Sequence, residues 1–153
     1  EMLLSSVAAE LCTDCVSLAE ARGSDVLPWL EARLSVEQRR ALVVEAPESF
    51  LLPSGRRVTI DYPSGRSPKV AARIQECFGL TTTPRLAAGR ALVAIELLGP
   101  NHRPVQITDD LTSFWQRTYP EIRKELRGRY PKHAWPEDPF SAPAHSRPRR
   151  PLS

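Results

Sequence analysis

The sequence predicts an α+β domain, a small, mostly antiparallel sheet of roughly 3–4 strands packed by roughly 5–6 helices. An extended proline- and aromatic-rich strap and a disordered tail complete it. Three observations lead there. Alternating strand-like runs and helical stripes interleave without a regular β-α-β rhythm. Proline is abundant at 15 and glycine scarce at 7, so the chain is punctuated without being floppy. With 153 residues, 41% of them apolar, the chain is long enough for one core and too apolar for wholesale disorder.

The elements follow in order. Leu3 to Arg22 carries an apolar stripe of helical period, stopped by Gly23. Asp25 is placed to cap a short second helix bearing Leu27, Trp29, Leu30 and Leu34. Ser35-Val36-Glu37-Gln38 is a capping box, with Ser35 as N-cap and Gln38 three residues on, and its helix must end before Pro47. Ser49–Leu52 and Arg57–Tyr62 read as strands, joined by the turn Pro53-Ser54-Gly55-Arg56. The same tetrapeptide recurs as Pro63-Ser64-Gly65-Arg66, and turn chemistry accounts for both copies.

Val70, Ile74, Cys77 and Phe78 form a helical stripe closed by Gly79, followed by a loop over Thr81–Gly89. Ala91–Leu98 is the most apolar run and reads as a central strand buried on both faces. Val105–Ile107 adds a short strand. Thr108 and Asp109 are placed to cap a helix carrying Leu111, Phe114, Trp115 and Thr118. Pro120 either starts a further helix, Glu121–Arg127, or kinks a continuous one, and Gly128 ends it. Arg129–Phe140 is the strap, and Ser141–Ser153 reads as a disordered tail. Three segments result: a helical lead-in over 1–46, an α+β domain over 47–140, and a basic tail over 141–153.

The net charge of +3 conceals an uneven distribution. Residues 1–50 hold nine acids and four bases, a net of −5. Residues 51–141 hold nine acids and fourteen bases, a net of +5, and the tail adds Arg147, Arg149 and Arg150. A basic rear attracts phosphate backbones, although arginine and lysine on a small domain also serve simply as its solvated face. No apolar run is long enough to span a bilayer, and Glu1, Glu10 and Asp14 sit where a signal peptide would be basic. A cytoplasmic, membrane-free module is the expectation.

Several chemistries lack their residues. There is no phosphate-binding loop, dinucleotide fingerprint, nucleophile elbow or H-E-x-x-H motif. Cys12 and Cys15 form a C-x-x-C on the buried stripe of the first helix, where core thiols are the simplest reading, with a redox pair or metal site as alternatives. His102, His133 and His145 stand apart, and Asp109-Asp110 suits a helix start. No catalytic residue is assigned.

The rear half carries a specific resemblance. Leu97-Leu98-Gly99-Pro100-Asn101-His102-Arg103-Pro104 leads through Phe114-Trp115 to Arg129-Tyr130-Pro131-Lys132-His133-Ala134-Trp135-Pro136. With Ala46-Pro47-Glu48-Ser49, Arg56-Arg57-Val58-Thr59-Ile60-Asp61-Tyr62 and Arg73-Ile74-Gln75-Glu76-Cys77-Phe78-Gly79 upstream, these runs resemble the C-terminal domain of bacterial HrpB-type ATP-dependent helicases, a DEAH-box RNA helicase family. The likeness runs from about Leu27 to Pro139. It implies an accessory domain whose ATPase motor, with its ATP and magnesium sites, lies upstream, and none of that motor's elements stands in this chain. The chain is accordingly expected to be the end of a larger helicase and to hold no cofactor.

Two functions compete under that resemblance. The first is support of nucleic-acid binding through Arg56, Arg57 and Arg66 on the turns and Arg123, Lys124, Arg127, Arg129 and Lys132 near the last helix, beside the strap aromatics Tyr130 and Trp135. Against it, Glu121 and Glu125 stand at helical spacing to pair with Lys124 and Arg129 while the aromatics pack inward. The second is protein docking, bracing the motor or recruiting a partner through the acidic front and its short apolar helices.

Overall fold

The structure, a computed structural model, describes residues 27–146 without a break and, before them, residues 5, 6, 9, 10, 12, 13, 17, 19 and 25. The chain divides into two compact units, Glu1–Val44 and Glu45–Ser153. Much of the expected first helix, with Cys15 and Gly23, lies outside the described residues, as do Arg147, Arg149 and Arg150. Cys12 is exposed, like Ala9 and Thr13 on the same helical stretch, which corrects the expectation that it is a core thiol.

In the first unit, Asp25 Oδ1 accepts from Leu27 N at 3.0 Å and starts helix α1, Leu27–Ala32. Helix α2, Val36–Glu45, opens with the capping box. Ser35 N donates to Gln38 Oε1 at 2.8 Å, and Gln38 N donates to Ser35 Oγ at 3.2 Å. Leu42, Val43 and Val44 on α2 are all exposed.

The second unit is built on short strands. β1 (Ser49–Leu51) pairs antiparallel with β2 (Arg57–Thr59), Phe50 opposite Val58. The turn closes through Leu52 N to Arg56 O at 2.9 Å, and Gly55 takes φ +80°, a conformation that favours a residue without Cβ. Val58 and Ile60 are buried between exposed Arg57 and Thr59, the alternation of a strand with one covered face. Asp61 and Lys69 exchange backbone hydrogen bonds at 2.8 Å across the second proline-led turn, which brings in β3, Lys69–Arg73.

Here the expected helix gives way to a strand. Val70 and Ala72 of β3 are buried while Ala71 is exposed, and only Ile74–Glu76 coil, as a single 3₁₀ turn. The cause is long-range: β3 pairs in parallel with β6 (Ala94–Leu98), Lys69 opposite Ala94 through Arg73 opposite Leu98. β7 (Pro104–Thr108) adds antiparallel on the other side of β6, giving the order β3-β6-β7. β7 is an edge strand, begun by a proline that has no amide hydrogen to give.

β6 is central, yet only Ile95 and Leu97 are buried, with Ala94, Glu96 and Leu98 partly exposed. The expectation of burial on both faces is therefore corrected to one covered face. The apolar run is also interrupted at Val93, so that its first two residues, β5 (Ala91–Leu92), form a separate hairpin with β4 (Arg85–Leu86), and only β4 lies in the segment expected to be loop. Its turn holds Ala87 and Ala88 at φ +52° and +53°.

The closing helical run occupies 111–129. Its N-cap is Asp110, whose Oδ1 accepts from Ser113 N at 2.9 Å; Thr108 Oγ1 accepts from Asp110 N at 3.0 Å, so the cap lies one residue beyond the expected Thr108-Asp109. One turn, Leu111–Ser113, leads through a π-helical segment, Phe114–Thr118, into helix α3, Tyr119–Arg129. The widened segment ends two residues before Pro120, which lacks the amide a continuous α-helix would use at that place. Gly128 is helical, and α3 ends instead at Tyr130, whose N donates to Leu126 O at 2.7 Å.

The fold class is thus α+β, with three mostly antiparallel small sheets and, among the described residues, three helices beyond short turns; the expected 5–6 overcounts. The core is dominated by aromatic edges. Trp115 meets Phe114 at 4.9 Å and Tyr119 at 5.3 Å between ring centroids, both T-shaped, and Phe78 completes the cluster 6.0 Å from Tyr119. Their polar ends are satisfied: Trp115 Nε1 donates to Leu80 O at 2.8 Å and Tyr119 Oη to Pro136 O at 2.9 Å.

Candidate nucleic-acid interface

The strap after α3 returns along that helix. His133 N donates to Tyr130 O at 3.1 Å, and Trp135 Nε1 donates to the same carbonyl at 2.9 Å. Prolines at 131, 136 and 139 keep the chain extended, so its carbonyls point at the domain and find donors there. Trp135 O accepts from Arg123 Nε at 2.8 Å, Pro136 O from Tyr119, and Pro139 O from Gly79 N at 2.9 Å. Trp135 is 7% exposed and belongs to the core, whereas Lys132 is exposed and His133 half-buried.

Packing continues past the strap. Ala142 and Ala144 rest against the core, His145 N donates to Gln75 O at 3.1 Å, and Ser146 O accepts from Arg73. Residues 141–146 are therefore seated on the domain, contrary to the expectation of disorder from Ser141 onward. Small side chains and open carbonyls, not bulk, allow this.

Two clefts flank Trp135 and Pro136. The larger, about 560 Å³, is walled by Arg123 and Arg127 from α3 and by His133, Trp135, Pro136 and Glu137 from the strap. The smaller, about 300 Å³, is lined mainly by Phe78, Trp135, Ala142, Pro143 and His145. His133 has its imidazole held below the usual histidine range by burial first, with Arg73 and His145 adding like-charge repulsion. It is therefore a neutral wall near pH 7.

The eight cations singled out in the sequence separate into three groups. Arg56 and Arg123 already have partners within the fold. Arg56 makes a two-pronged pair with Glu76, Nε to Oε1 at 2.7 Å and Nη2 to Oε2 at 2.9 Å. Arg123 holds Trp135 O and, through Nη2, Glu137 Oε1 at 3.1 Å. Lys124 and Arg129 pair along α3 with Glu121 at 3.1 Å and Glu125 at 3.4 Å. Arg57, Arg66, Arg127 and Lys132 are exposed, and no carboxylate pairs with them among the described residues. Arg57 Nη1 donates to Ser49 Oγ at 2.9 Å, which aims it without neutralising it.

Glu76 is the residue that sequence reasoning missed. It is fully buried and accepts from Arg56, from Arg73 Nη2 at 3.2 Å and from Arg73 N at 3.0 Å. Burial pushes its carboxyl upward, but the hydrogen bonds from Arg56 and Arg73 together outweigh that and hold it below the usual range. The available signal was a glutamate three residues after Arg73, the spacing by which a side chain returns to the amide that opens a helical turn. Beside it, burial pushes the Cys77 thiol up to about 12, with Glu76 adding to the effect, which makes it an inert core group. Among the described residues no cluster of His, Cys, Asp and Glu is arranged to hold a metal ion, and no helix is long and apolar enough to cross a membrane.

The family described as ATP-dependent helicase C-terminal matches residues 8–139. The ATP-dependent RNA helicase HrpB of Escherichia coli K12 is 42% identical over 123 residues, which is 80% of this chain and 15% of that protein. A crystal structure of the E. coli DExH-box NTPase HrpB superposes with a TM-score of 0.81 and 38% identity, covering 94% of this chain and 18% of that one. A crystal structure of the E. coli DEAH/RHA helicase HrpB gives 0.63 and 37%, covering 88% and 17%. The chain spans less than a fifth of the length of these relatives, and at this identity and coverage it belongs to the ATP-dependent helicase C-terminal family.

Proposed function

We propose that this chain is the C-terminal accessory domain of an HrpB-type ATP-dependent RNA helicase, acting in the cytoplasm, and that it adds cationic surface to the nucleic-acid path. ATP and magnesium would belong to the upstream motor, since this chain contains no glycine-rich phosphate loop to cradle them. The observation that carries the reading is the group Arg57, Arg66, Arg127 and Lys132, exposed and without carboxylate partners among the described residues on the basic second unit. Sequence-independent contacts of this kind give dissociation constants of roughly 10⁻⁴–10⁻⁶ M and fall steeply with salt. The test is a titration of labelled single-stranded RNA at low and moderate salt. Weak, salt-steep binding supports the reading, and no binding at low salt overturns it. Turnover of ATP by the same purified chain should not rise above a buffer blank.

A second reading, docking against the motor or another protein, is favoured by α2. Its Leu42, Val43 and Val44 are exposed by 52%, 71% and 77%, an apolar surface on an otherwise acidic segment. Capture of the motor domains in trans by the parent chain, lost in Val43→Asp, would support it.

A further inference from the structure

We propose that the cleft between α3 and the strap seats one backbone phosphate of single-stranded RNA on Arg123 and Arg127, and that the Glu137 carboxylate is the group it displaces. The proposal rests on the nucleic-acid reading above and names the contact within it. Arg123 is oriented before any ligand arrives. Its Nε is committed to Trp135 O at 2.8 Å and its side chain is only 19% exposed, so the guanidinium plane is held by the domain. Its Nη2 faces Glu137, 3.1 Å from Oε1.

Glu137 itself is 87% exposed. A carboxylate so placed gains little from its partner, because it gives up hydration to form a solvent-screened pair. Its Oε1 accepts from Arg123 Nη2 as a single phosphate oxygen could. The Arg123 edge therefore already holds a weak, replaceable anion. Arg127 lies one helical turn further along the same face, lines the same cleft and has no carboxylate partner among the described residues. The Trp135 indole adds no donor for the ligand's oxygens, since its Nε1–H goes to Tyr130 O. Lys132, exposed and next in sequence to Pro131 and His133 of the cleft, adds a further cation beside it.

Anisotropy of a short labelled oligouridylate at low salt tests this. Glu137→Gln should tighten binding about two- to five-fold, the equivalent of an exposed ion pair no longer competing. Arg127→Glu should weaken it about ten-fold and flatten the salt slope by about 0.7 or more, the share of one phosphate contact. Arg103→Glu, the same charge change in the turn before β7, is the control and should weaken binding far less. All three side chains are exposed, and unchanged melting confirms that the variants fold. Equal losses in Arg127→Glu and Arg103→Glu, or no gain in Glu137→Gln, overturn the cleft while leaving general RNA binding intact. A parent chain that binds no RNA overturns the broader reading and the cleft with it. Response of the Arg123 Nε–H resonance to inorganic phosphate, with RNA affinity indifferent to both cleft variants, also overturns the RNA assignment.

Discussion

Replacing Glu76 with alanine is the most incisive perturbation available in this domain. The carboxylate is fully buried, accepts two hydrogen bonds from Arg56 and two from Arg73, and has no substitute nearby. Its removal strands Arg73, whose side chain is 19% exposed, and releases Arg56, whose side chain is 44% exposed. Breaking a buried pair by deleting one member costs roughly 3–5 kcal/mol. Because Arg56 can turn into water, the lower end applies, about 3 kcal/mol. For a unit of 109 residues in a chain of 153 that is a fall in melting temperature of about 9–13 °C. Scanning calorimetry or thermal circular dichroism reads it directly.

Acid supplies an independent arm. The folded carboxyl titrates below its ordinary value of 4.5, so the stabilisation is complete above that pH and is lost as pH falls through the lower folded value. The parent should therefore lose stability below about pH 4.5, and Glu76→Gln should flatten that limb. An alanine variant melting within about 3 °C of the parent would refute the claim that the Arg56–Glu76–Arg73 clamp holds the turn after β3.

Other outcomes follow from the same geometry. Trp135→Ala empties a core site and should cost roughly 3–5 kcal/mol, while Lys132→Ala should stay within about 0.5 kcal/mol in the same melt. A Trp135→Ala protein that melts like the parent but loses RNA would mean the indole is a stacking platform. Ala88→Gly should stabilise by about 0.5–1 kcal/mol, because exposed Ala88 at φ +53° pays for its Cβ and packs nothing; a loss of stability in urea unfolding would contradict this. Truncation after Ser146 removes Arg147, Arg149 and Arg150 without touching the packed segment, and should flatten the slope of log affinity against log salt by about 2. An unchanged slope would show that these arginines make no contact.

Several elements were legible in the residues because their causes are local. The capping box at Ser35 and Gln38 forms with both reciprocal bonds, since it needs only four consecutive residues. The Pro53–Arg56 turn and the alternation around Val58 and Ile60 appear as the pattern indicates. The segment from Val70 to Phe78 was misleading because its apolar spacing fits a helix, and only the ladder to β6 across more than twenty residues makes it a strand. The seating of residues 141–146 was likewise invisible, since prolines, alanines and serines carry no periodic signal of burial.

For the candidate interface the division is similar. Chain composition marked a basic rear half, and the strap motif marked the family, both from residues adjacent in sequence. Which cations remain available was decided by tertiary contacts. Arg56 stands twenty positions from Glu76, and Arg123 fourteen from Glu137, so no local pattern reveals that each already has a partner. Charge type and turn chemistry are properties of short stretches and can be read along the chain. Pairing, burial and the shape of a cleft depend on which distant stretches meet, and in this protein the parallel β3–β6 ladder and the return of the strap along α3 settle that meeting.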